Sequence, residues 1–189
     1  MPGPVARPGI DRIKAHMIPT APPGAAAILL HSNESAFGPS PKAAQALRDA
    51  ATGVERYFEF PDRVMAPAIA AHHGLDADRI VSGQGSDDLL ARVARAYLGP
   101  GDTLIRTANG YLKVPNYAYA CGAEVVSVPD DGFVPSVDRM IAAVTDRTRI
   151  VYLANPENPA GTWLTDAQVR RLHAALPDHV LLVLDCAYE

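Results

Sequence analysis

Several loops of the chain carry small, polar and charged residues of the kinds that bind ligands. Gly83 to Asp87 is a glycine-rich segment, Asn109 to Tyr111 ends on an aromatic residue, and Asn155 to Gly161 contains two Asn-Pro pairs. Asp185 to Tyr188 adds a carboxylate and a phenol directly after an apolar run. Main-chain N–H groups of a glycine loop suit an anion, and a partly buried carboxylate needs a cationic partner.

The glycine-rich segment predicts an anion site at the start of a helix. Glycines permit a close backbone approach, and a helix N-terminus presents N–H groups and the positive end of its dipole. A plain strand-to-helix turn with Ser86 as N-cap explains the same residues equally well. No Gly-Lys-Ser/Thr follows, and Asp88 stands where a dinucleotide fingerprint has its third glycine. A single phosphate therefore fits this loop better than a pyrophosphate.

The Asn-Pro pairs and Asp185 provide two further candidate groups. A residue before proline avoids the helical region, so Asn155 to Gly161 is predicted to be an irregular extended loop that presents the Asn158 amide. The alternative is a proline-rich turn in which the asparagine binds its own backbone. Asp185 is expected at a sheet edge, where burial of its carboxylate requires a cation. The alternative for Asp185 is a solvated residue at the end of a strand.

The elements that must position these loops alternate between strands and helices. Such alternation predicts right-handed βα units and an α/β fold with a mainly parallel sheet. Continuous apolar runs such as 150–153 and 180–184 favour strands covered by helices on both faces. Ligands of such sheets bind outside the carboxyl ends of the strands, where the loops above lie. The predicted strands cover 79–82, 102–107, 124–128, 149–154 and 179–185, and the helices between them 87–98, 112–121, 136–144 and 165–176.

The first part of the chain is predicted to be an extended arm over residues 1–40, because its frequent prolines exclude regular helices and central strands. Its apolar residues 25–30 are expected to dock on the rest of the protein. Residues 41–189 are predicted to form the domain, and Ser40 followed by Pro41 marks its first helix. This first helix is predicted over 41–50, and a second one over 64–73.

Composition limits the classes of function. The chain has 189 residues, 48% of them hydrophobic and 20% charged, which excludes a disordered chain. Its formal charge of −4 argues against nucleic acid as the main partner. Its two cysteines form no CxxC pair and no zinc pattern, so we expect neither a disulfide scaffold nor a metal. No membrane span or signal peptide is evident, and a cytoplasmic protein is expected. Because Glu189 follows a predicted strand so closely, we expect a fragment of a longer protein.

The order of these loops resembles the signature series of the fold type I pyridoxal-phosphate aminotransferases. That series is Gly-Ser-Asp, an aromatic residue, Asn-Pro-x-Asn-Pro-x-Gly and Asp-x-x-Tyr, and it occurs here between Gly85 and Tyr188. The arm segment Asn33 to Gly38 and the pair Arg56-Tyr57 resemble the histidinol-phosphate aminotransferase branch, which belongs to histidine biosynthesis. The resemblance covers about residues 28 to 189. It implies a three-layer αβα large domain, a pyridoxal 5'-phosphate cofactor and a homodimer.

The resemblance also implies a role for each matched residue. The Asp185 carboxylate would pair with the pyridinium nitrogen of the cofactor, and the Tyr111 ring would stack on its pyridine ring. Asn158 and Tyr188 would bind the phenolic oxygen of that ring. The backbone of the glycine loop would hold the phosphate. The implied cofactor-binding residues are therefore Gly85, Ser86, Asp87, Tyr111, Asn158, Asp185 and Tyr188, with Tyr57 from the partner subunit, and the implied substrate residues are Asn33 and Phe37.

The chain departs from the family pattern at several positions. Glu157 replaces the first asparagine of the Asn-Asn-Pro-Thr-Gly core, while the ring-binding Asn158 is kept. The lysine that forms a Schiff base with the cofactor is expected beyond Glu189, so no catalytic residue is expected in this chain and the fragment alone is expected to be inactive. The lysines of the chain are Lys14, Lys42 and Lys113. Each is expected to be a solvated surface residue.

These observations favour transfer of an amino group between an amino acid or amino-alcohol phosphate and a 2-oxo acid. A decarboxylase of amino acid phosphates with the same fold would share the same cofactor residues. A truncated, non-catalytic relative that binds a phosphorylated ligand or a partner is the hypothesis from another class. A nucleotide-binding oxidoreductase is less favoured, because no acidic residue follows Ile105-Arg106-Thr107 to bind a ribose.

Overall fold

The computed structural model of the chain describes residues 3–15, 28, 32–57 and 61–189. The chain falls into two compact units, one made of Met1–His16 with Gln84–Glu189 and the other of Met17–Gly83. The predicted division into an arm over 1–40 and a domain over 41–189 remains a prediction. The predicted docking of residues 25–30 lies outside the described residues, apart from residue 28.

The described residues of the Met17–Gly83 unit form two α-helices, α1 (Pro41–Ala50) and α2 (Pro61–His73), and short 3-10 turns. Helix α1 has the predicted bounds, with Ser40 at its N-cap position and Pro41 at the first helical position. Proline is well suited to that position because its missing N–H has no intrahelical acceptor there anyway. Helix α2 begins before the predicted residue 64, which leaves Pro67 inside it.

The strand predicted over residues 79–82 is wrong. Residues Ala77–Arg79 form a 3-10 turn, and the residues that follow have no strand assignment. A strand exists only when a neighbour accepts and donates its backbone hydrogen bonds, and no described strand pairs with this segment. Val81 is 63% exposed, although its apolar side chain favoured a buried strand.

The other unit is built on a four-stranded sheet in the order β2-β1-β3-β4. Every neighbouring pair is parallel, which confirms the predicted mainly parallel sheet. The strands are β1 (Thr103–Thr107), β2 (Glu124–Val128), β3 (Thr148–Ala154) and β4 (Leu181–Asp185).

Helices cover both faces of this sheet, which confirms the predicted α/β fold. They are α3 (Gly85–Tyr97), α4 (Val114–Ala120), α5 (Val137–Ala142) and α6 (Asp166–Ala175). Alternate residues of a strand point to opposite faces, so β1 and β3 contribute to two separate cores. Leu104, Ile150 and Tyr152 pack with Ala94 of α3 and Val114 and Ala118 of α4, whereas Ile105, Val151 and Leu153 pack with Val137 and Met140 of α5 and Leu172 of α6.

Residues near the N-terminus pack on α4. The Arg12 guanidinium lies 4.0 Å from the centre of the Tyr119 ring and forms an ion pair with Glu124 at 2.7 Å. The main chain of Lys14 exchanges two hydrogen bonds with the Asn116 amide, at 3.1 and 2.8 Å. The first residues of the predicted arm are therefore held against the α4 side of the sheet unit.

Two features are absent from the described residues. No helix in these ranges combines the length and the hydrophobicity that a bilayer-spanning segment needs. In the same part of the chain, no group of histidine, cysteine, aspartate or glutamate side chains is arranged to hold a metal ion.

Candidate active site

The carboxyl ends of β3 and β4 and the start of α3 surround a cavity of about 120 Å³. Parallel pairing aligns the last residue of β3, Ala154, with the last residue of β4, Asp185. The loops that follow both strands therefore leave the sheet side by side. The cavity is lined by Ser86, Tyr111, Tyr152, Ala154, Asn158, Asp185, Ala187 and Tyr188.

Asp185 is fixed by two hydrogen bonds at the end of β4. The Tyr152 hydroxyl donates to its Oδ2 atom at 2.8 Å, and the Ala187 N–H donates to its Oδ1 atom at 3.2 Å. Burial, together with the bond to the carboxylate, raises the pKa of Tyr152 well above its ordinary value, so this phenol remains a proton donor. A carboxylate oxygen accepts more than one hydrogen bond, which leaves Asp185 able to pair with a cationic donor in the cavity.

The loop after β3 presents the Asn158 amide to the same cavity. The Asn158 Nδ2 group donates to the Tyr188 hydroxyl at 2.9 Å, which joins the loops after β3 and β4. Asn155 ties the start of the loop to the residues that follow it. Its Oδ1 atom accepts the Leu164 N–H at 2.7 Å, and its Nδ2 group donates to the Leu164 carbonyl at 3.1 Å. The predicted irregular loop over 155–161 is thus a braced one, with both Asn-Pro peptide bonds in the cis form.

Glu157 connects this loop to the end of β1. Glu157 is 3% exposed, and its carboxylate accepts the Thr107 hydroxyl at 3.0 Å and the Asn158 N–H at 3.1 Å. Burial raises the pKa of the Glu157 carboxyl, although both hydrogen bonds and the nearby Arg106 charge oppose this shift. The residue that departs from the family pattern is therefore the one that holds the main chain of Asn158.

We expect Glu157→Gln to change how stability depends on pH. The raised pKa means that the folded protein keeps this proton above pH 4.5, where the unfolded chain loses it. The wild-type protein should therefore lose stability as pH rises from about 4.5 through the folded pKa, while the neutral glutamine contributes no such loss. Melting temperatures of both proteins, measured between about pH 4.5 and pH 8, test this difference.

The control for this prediction is Glu34→Gln, which removes the same charge from an exposed side chain. It should reproduce the wild-type pH profile. Parallel profiles for the wild type and Glu157→Gln would contradict the assigned shift.

The loop after β1 positions Tyr111 with the help of a buried arginine and a partly buried aspartate. Arg106 is 4% exposed, and its guanidinium donates to the carbonyl oxygens of Thr107 and Gly110, each at 2.7 Å. Asp130 accepts both the main-chain and the side-chain N–H of Asn109, at 3.0 and 2.8 Å. The turn before Tyr111 is therefore held on both sides, which places its aromatic ring at the cavity wall.

The carboxylate of Asp87, in the first turn of α3, binds three donor groups. The Tyr111 and Tyr117 hydroxyls donate to its Oδ1 atom at 3.0 and 2.7 Å, and Lys113 forms an ion pair with its Oδ2 atom. Partial burial alone would raise the pKa of Asp87, but the bonds from Lys113, Tyr117 and Tyr111 lower it below its ordinary value. The expectation that Lys113 is a solvated surface residue is wrong, because its side chain is 30% exposed and paired.

The N-terminus of α3 borders the cavity through Ser86. The helix begins at Gly85, which has a φ of +79°, a value that favours glycine. Ser86 is therefore the second helical residue and not the N-cap, a position that Gln84 takes without a side-chain cap bond. The first N–H groups of an α-helix have no intrahelical acceptor, so those of Gly85, Ser86 and Asp87 are available to an anion.

Five of the predicted site residues meet at this cavity: Ser86, Tyr111, Asn158, Asp185 and Tyr188. Gly85 and Asp87 flank Ser86 in the chain, and the Asp87 side chain contacts Tyr111. The roles of these residues remain predictions.

The other predicted site residues belong to the Met17–Gly83 unit. Tyr57 and Phe37 have fully exposed side chains, and Asn33 is exposed with a left-handed φ of 53°. Their predicted roles toward phosphate and substrate also remain predictions.

The sequence reasoning missed several residues of the site. Tyr152 carries the hydroxyl group within the apolar run of β3. It lies two positions before Ala154, the last residue of the strand, and this spacing was a signal that both side chains point to the same face of the sheet. Tyr117 carried no comparable signal, because its contact with Asp87 joins residues 30 positions apart. Glu157 was noticed only as a departure from the family pattern.

The comparisons with known proteins agree with this geometry. Residues 25–189 match the family model described as "Aminotransferase class I and II". Histidinol-phosphate aminotransferase from Rhodopseudomonas palustris (strain TIE-1) is 45% identical over 191 residues, which cover 100% of this chain and 52% of the relative. The corresponding protein from Ruegeria pomeroyi is 51% identical over 161 residues, covering 85% of this chain and 45% of the relative.

A solved structure gives the same result for the fold. The crystal structure of histidinol-phosphate aminotransferase from Sinorhizobium meliloti in complex with pyridoxal-5'-phosphate matches with a TM-score of 0.79 and 34% identity. The match covers 83% of this chain and 43% of that one. The chain thus spans about half the length of the curated relatives it matches. It belongs to the aminotransferase class I and II family.

Proposed function

We propose that these residues form the cofactor-binding part of a pyridoxal-phosphate-dependent aminotransferase of the histidinol-phosphate aminotransferase type. The observation that carries the proposal is the placement of Asp185, Asn158, Tyr188 and Tyr111 around one cavity next to the N-terminus of α3. Membership in the family and the relatives named histidinol-phosphate aminotransferase support it.

The chemistry of the cavity wall fits pyridoxal 5'-phosphate. Asp185 offers a carboxylate to a ring nitrogen, and the Asn158 amide and the Tyr188 hydroxyl offer donors to a phenolic oxygen. Tyr111 offers a flat aromatic surface, and the first N–H groups of α3 offer donors to a phosphate. When it is bound, the cofactor supplies an electron sink that stabilises a carbanion next to the substrate nitrogen.

The residues of the chain contribute position and charge to that chemistry. Asp185 would hold a proton on the ring nitrogen, and the bonds from Tyr152 and Ala187 keep its carboxylate directed at one place. Asn158 would orient the ring through its second amide hydrogen, since the first binds Tyr188. Glu157 would fix the position of Asn158 relative to the loop that carries Tyr111, because its carboxylate binds both the Asn158 N–H and the Thr107 hydroxyl that precedes this loop.

The remaining parts of the proposal concern the complete protein. The amino group would move between an amino acid or amino-alcohol phosphate and a 2-oxo acid, with Asn33 and Phe37 near the substrate. The partner subunit's Tyr57 would reach the phosphate in a homodimer, and the lysine that binds the cofactor would follow Glu189. The free cysteines Cys121 and Cys186 are compatible with the cytoplasm. No nucleic acid or membrane takes part.

Spectroscopy of the complete gene product tests the proposal. The purified protein should be yellow from bound pyridoxal phosphate, and histidinol phosphate should bleach that absorbance until a 2-oxo acid restores it. A protein that stays colourless after incubation with the cofactor would contradict the proposed function. Release of carbon dioxide from an amino acid phosphate, without transfer of the amino group, would instead identify the decarboxylase alternative.

A further inference from the structure

The N-terminus of α3 carries its own negative charges. Asp87 and Asp88 both lie in the first turn of this helix, beside the N–H groups that are proposed to hold a phosphate. A carboxylate at this place repels a bound phosphate, because both are anions within a few ångströms of each other. An anion site here therefore requires that both carboxylates are compensated.

Asp88 is compensated within its own helix. Its Oδ2 atom accepts the Gln84 N–H at 3.1 Å and forms an ion pair with Arg92, one helical turn later, at 2.7 Å. The Asp88 charge is thus compensated by the Gln84 N–H and by the Arg92 guanidinium of the same helix.

Asp87 is compensated from a different element. Lys113, which directly precedes α4, is the cation that contacts the Asp87 carboxylate in the described part of the chain. The Tyr111 and Tyr117 hydroxyls bind the other carboxylate oxygen, but they are neutral and leave its charge in place. The Asp87 side chain is 42% exposed, and its bond to Tyr111 places its charge beside a residue of the cavity wall.

We propose that Lys113 is an electrostatic positioning residue, which neutralises Asp87 so that the start of α3 accepts the phosphate group of the cofactor. This inference rests on the proposed function. Lys113 acts through Asp87 and does not itself touch the phosphate. Its contribution is therefore specific to ligands that carry a negative charge at this end.

A comparison of the binding of pyridoxal 5'-phosphate and of pyridoxal distinguishes this role from a general role in packing. In the complete gene product, Lys113→Met should weaken binding of pyridoxal 5'-phosphate by about tenfold or more, because Asp87 is left uncompensated. Binding of pyridoxal, which lacks the phosphate, should change by less than about twofold. Equilibrium dialysis with each ligand measures both affinities without any assay of activity.

Matched variants isolate the charge. Lys113→Arg keeps the cation and should retain the wild-type affinity for the phosphorylated form. The double variant Asp87→Asn/Lys113→Met removes both charges, keeps an acceptor for both tyrosines, and should recover most of the lost affinity. Lys42→Met removes a lysine charge from an exposed position in α1 and should have no effect.

The outcomes distinguish this inference from the function it rests on. Equal weakening of pyridoxal and pyridoxal phosphate in Lys113→Met, or no weakening at all, would overturn the inference alone. If Lys113→Met fails to fold, Asp87→Asn decides, because removal of the anion should maintain or raise the affinity for pyridoxal phosphate and a loss would overturn the inference. A wild-type protein that binds neither form would overturn the proposed function as well.

Discussion

Replacing Asp185 by asparagine should lower kcat/KM for transamination by about a hundredfold or more, because a charge-assisted bond to the ring nitrogen becomes a neutral one. Asparagine has nearly the same shape, so Tyr152 and the Ala187 N–H keep a side-chain partner. The substitution therefore removes the negative charge and leaves the geometry of the cavity in place. Steady-state kinetics of the complete gene product measure the effect, with melting temperature as the test of folding.

The control for this substitution is Asp178→Asn, an exposed aspartate that precedes β4. It should leave both kinetics and stability unchanged. If Asp185→Asn retains more than about a third of the wild-type kcat/KM, a difference worth well under 1 kcal/mol, the carboxylate has no partner on the reacting ring and the proposed cofactor geometry is wrong.

The sheet and most of the cavity were predictable because their signals are local. The apolar run 150–153 predicts a strand covered on both faces without knowledge of its partners, and every residue of β3 except Arg149 is buried. Parallel strands bring their carboxyl ends to one edge, so Asn158, Asp185 and Tyr188 were expected to meet once the strands were placed. The structure brings these side chains to one cavity.

The contacts that hold these side chains were not predictable. The Lys113–Asp87 pair, the Thr107–Glu157 bond and the Tyr152–Asp185 bond join residues 26, 50 and 33 positions apart. Each depends on the register between strands and on how a loop turns, and neither quantity follows from the residue types alone. For the same reason Lys113 was predicted to be solvated, since a lysine beside a loop is usually exposed.

The prediction of a strand over residues 79–82 was wrong because strand formation also depends on residues distant in the sequence. Ile80 and Val81, directly before the glycine loop, give this segment the local character of a strand, yet strand formation requires a neighbour. The described strands pair only with one another, in the order β2-β1-β3-β4. Local propensity therefore predicted an element for which the described residues supply no partner.

Gly110→Ala should test how closely the two loops of the site are packed. A Cβ atom at this position would lie 2.3 Å from Thr107 Oγ1 and 3.1 and 3.2 Å from the two Glu157 carboxylate oxygens. Thr107 is buried and holds Glu157, so the new methyl group must displace the support of both Tyr111 and Asn158. We expect the free energy of unfolding in urea to fall by about 1–3 kcal/mol, the usual cost of overpacking.

The comparison with a second glycine shows whether the cause is this contact or the loss of glycine itself. Gly53 has no atom within 4 Å of its ideal Cβ position, so Gly53→Ala should leave stability unchanged or slightly higher. If the clash with Thr107 is responsible, the double variant Thr107→Ala/Gly110→Ala should be more stable than the sum of the two single effects predicts. Strict additivity would contradict the proposed packing, because residues in direct contact cannot be removed independently. A positive coupling would show that the added methyl group meets the same Thr107 side chain that binds Glu157.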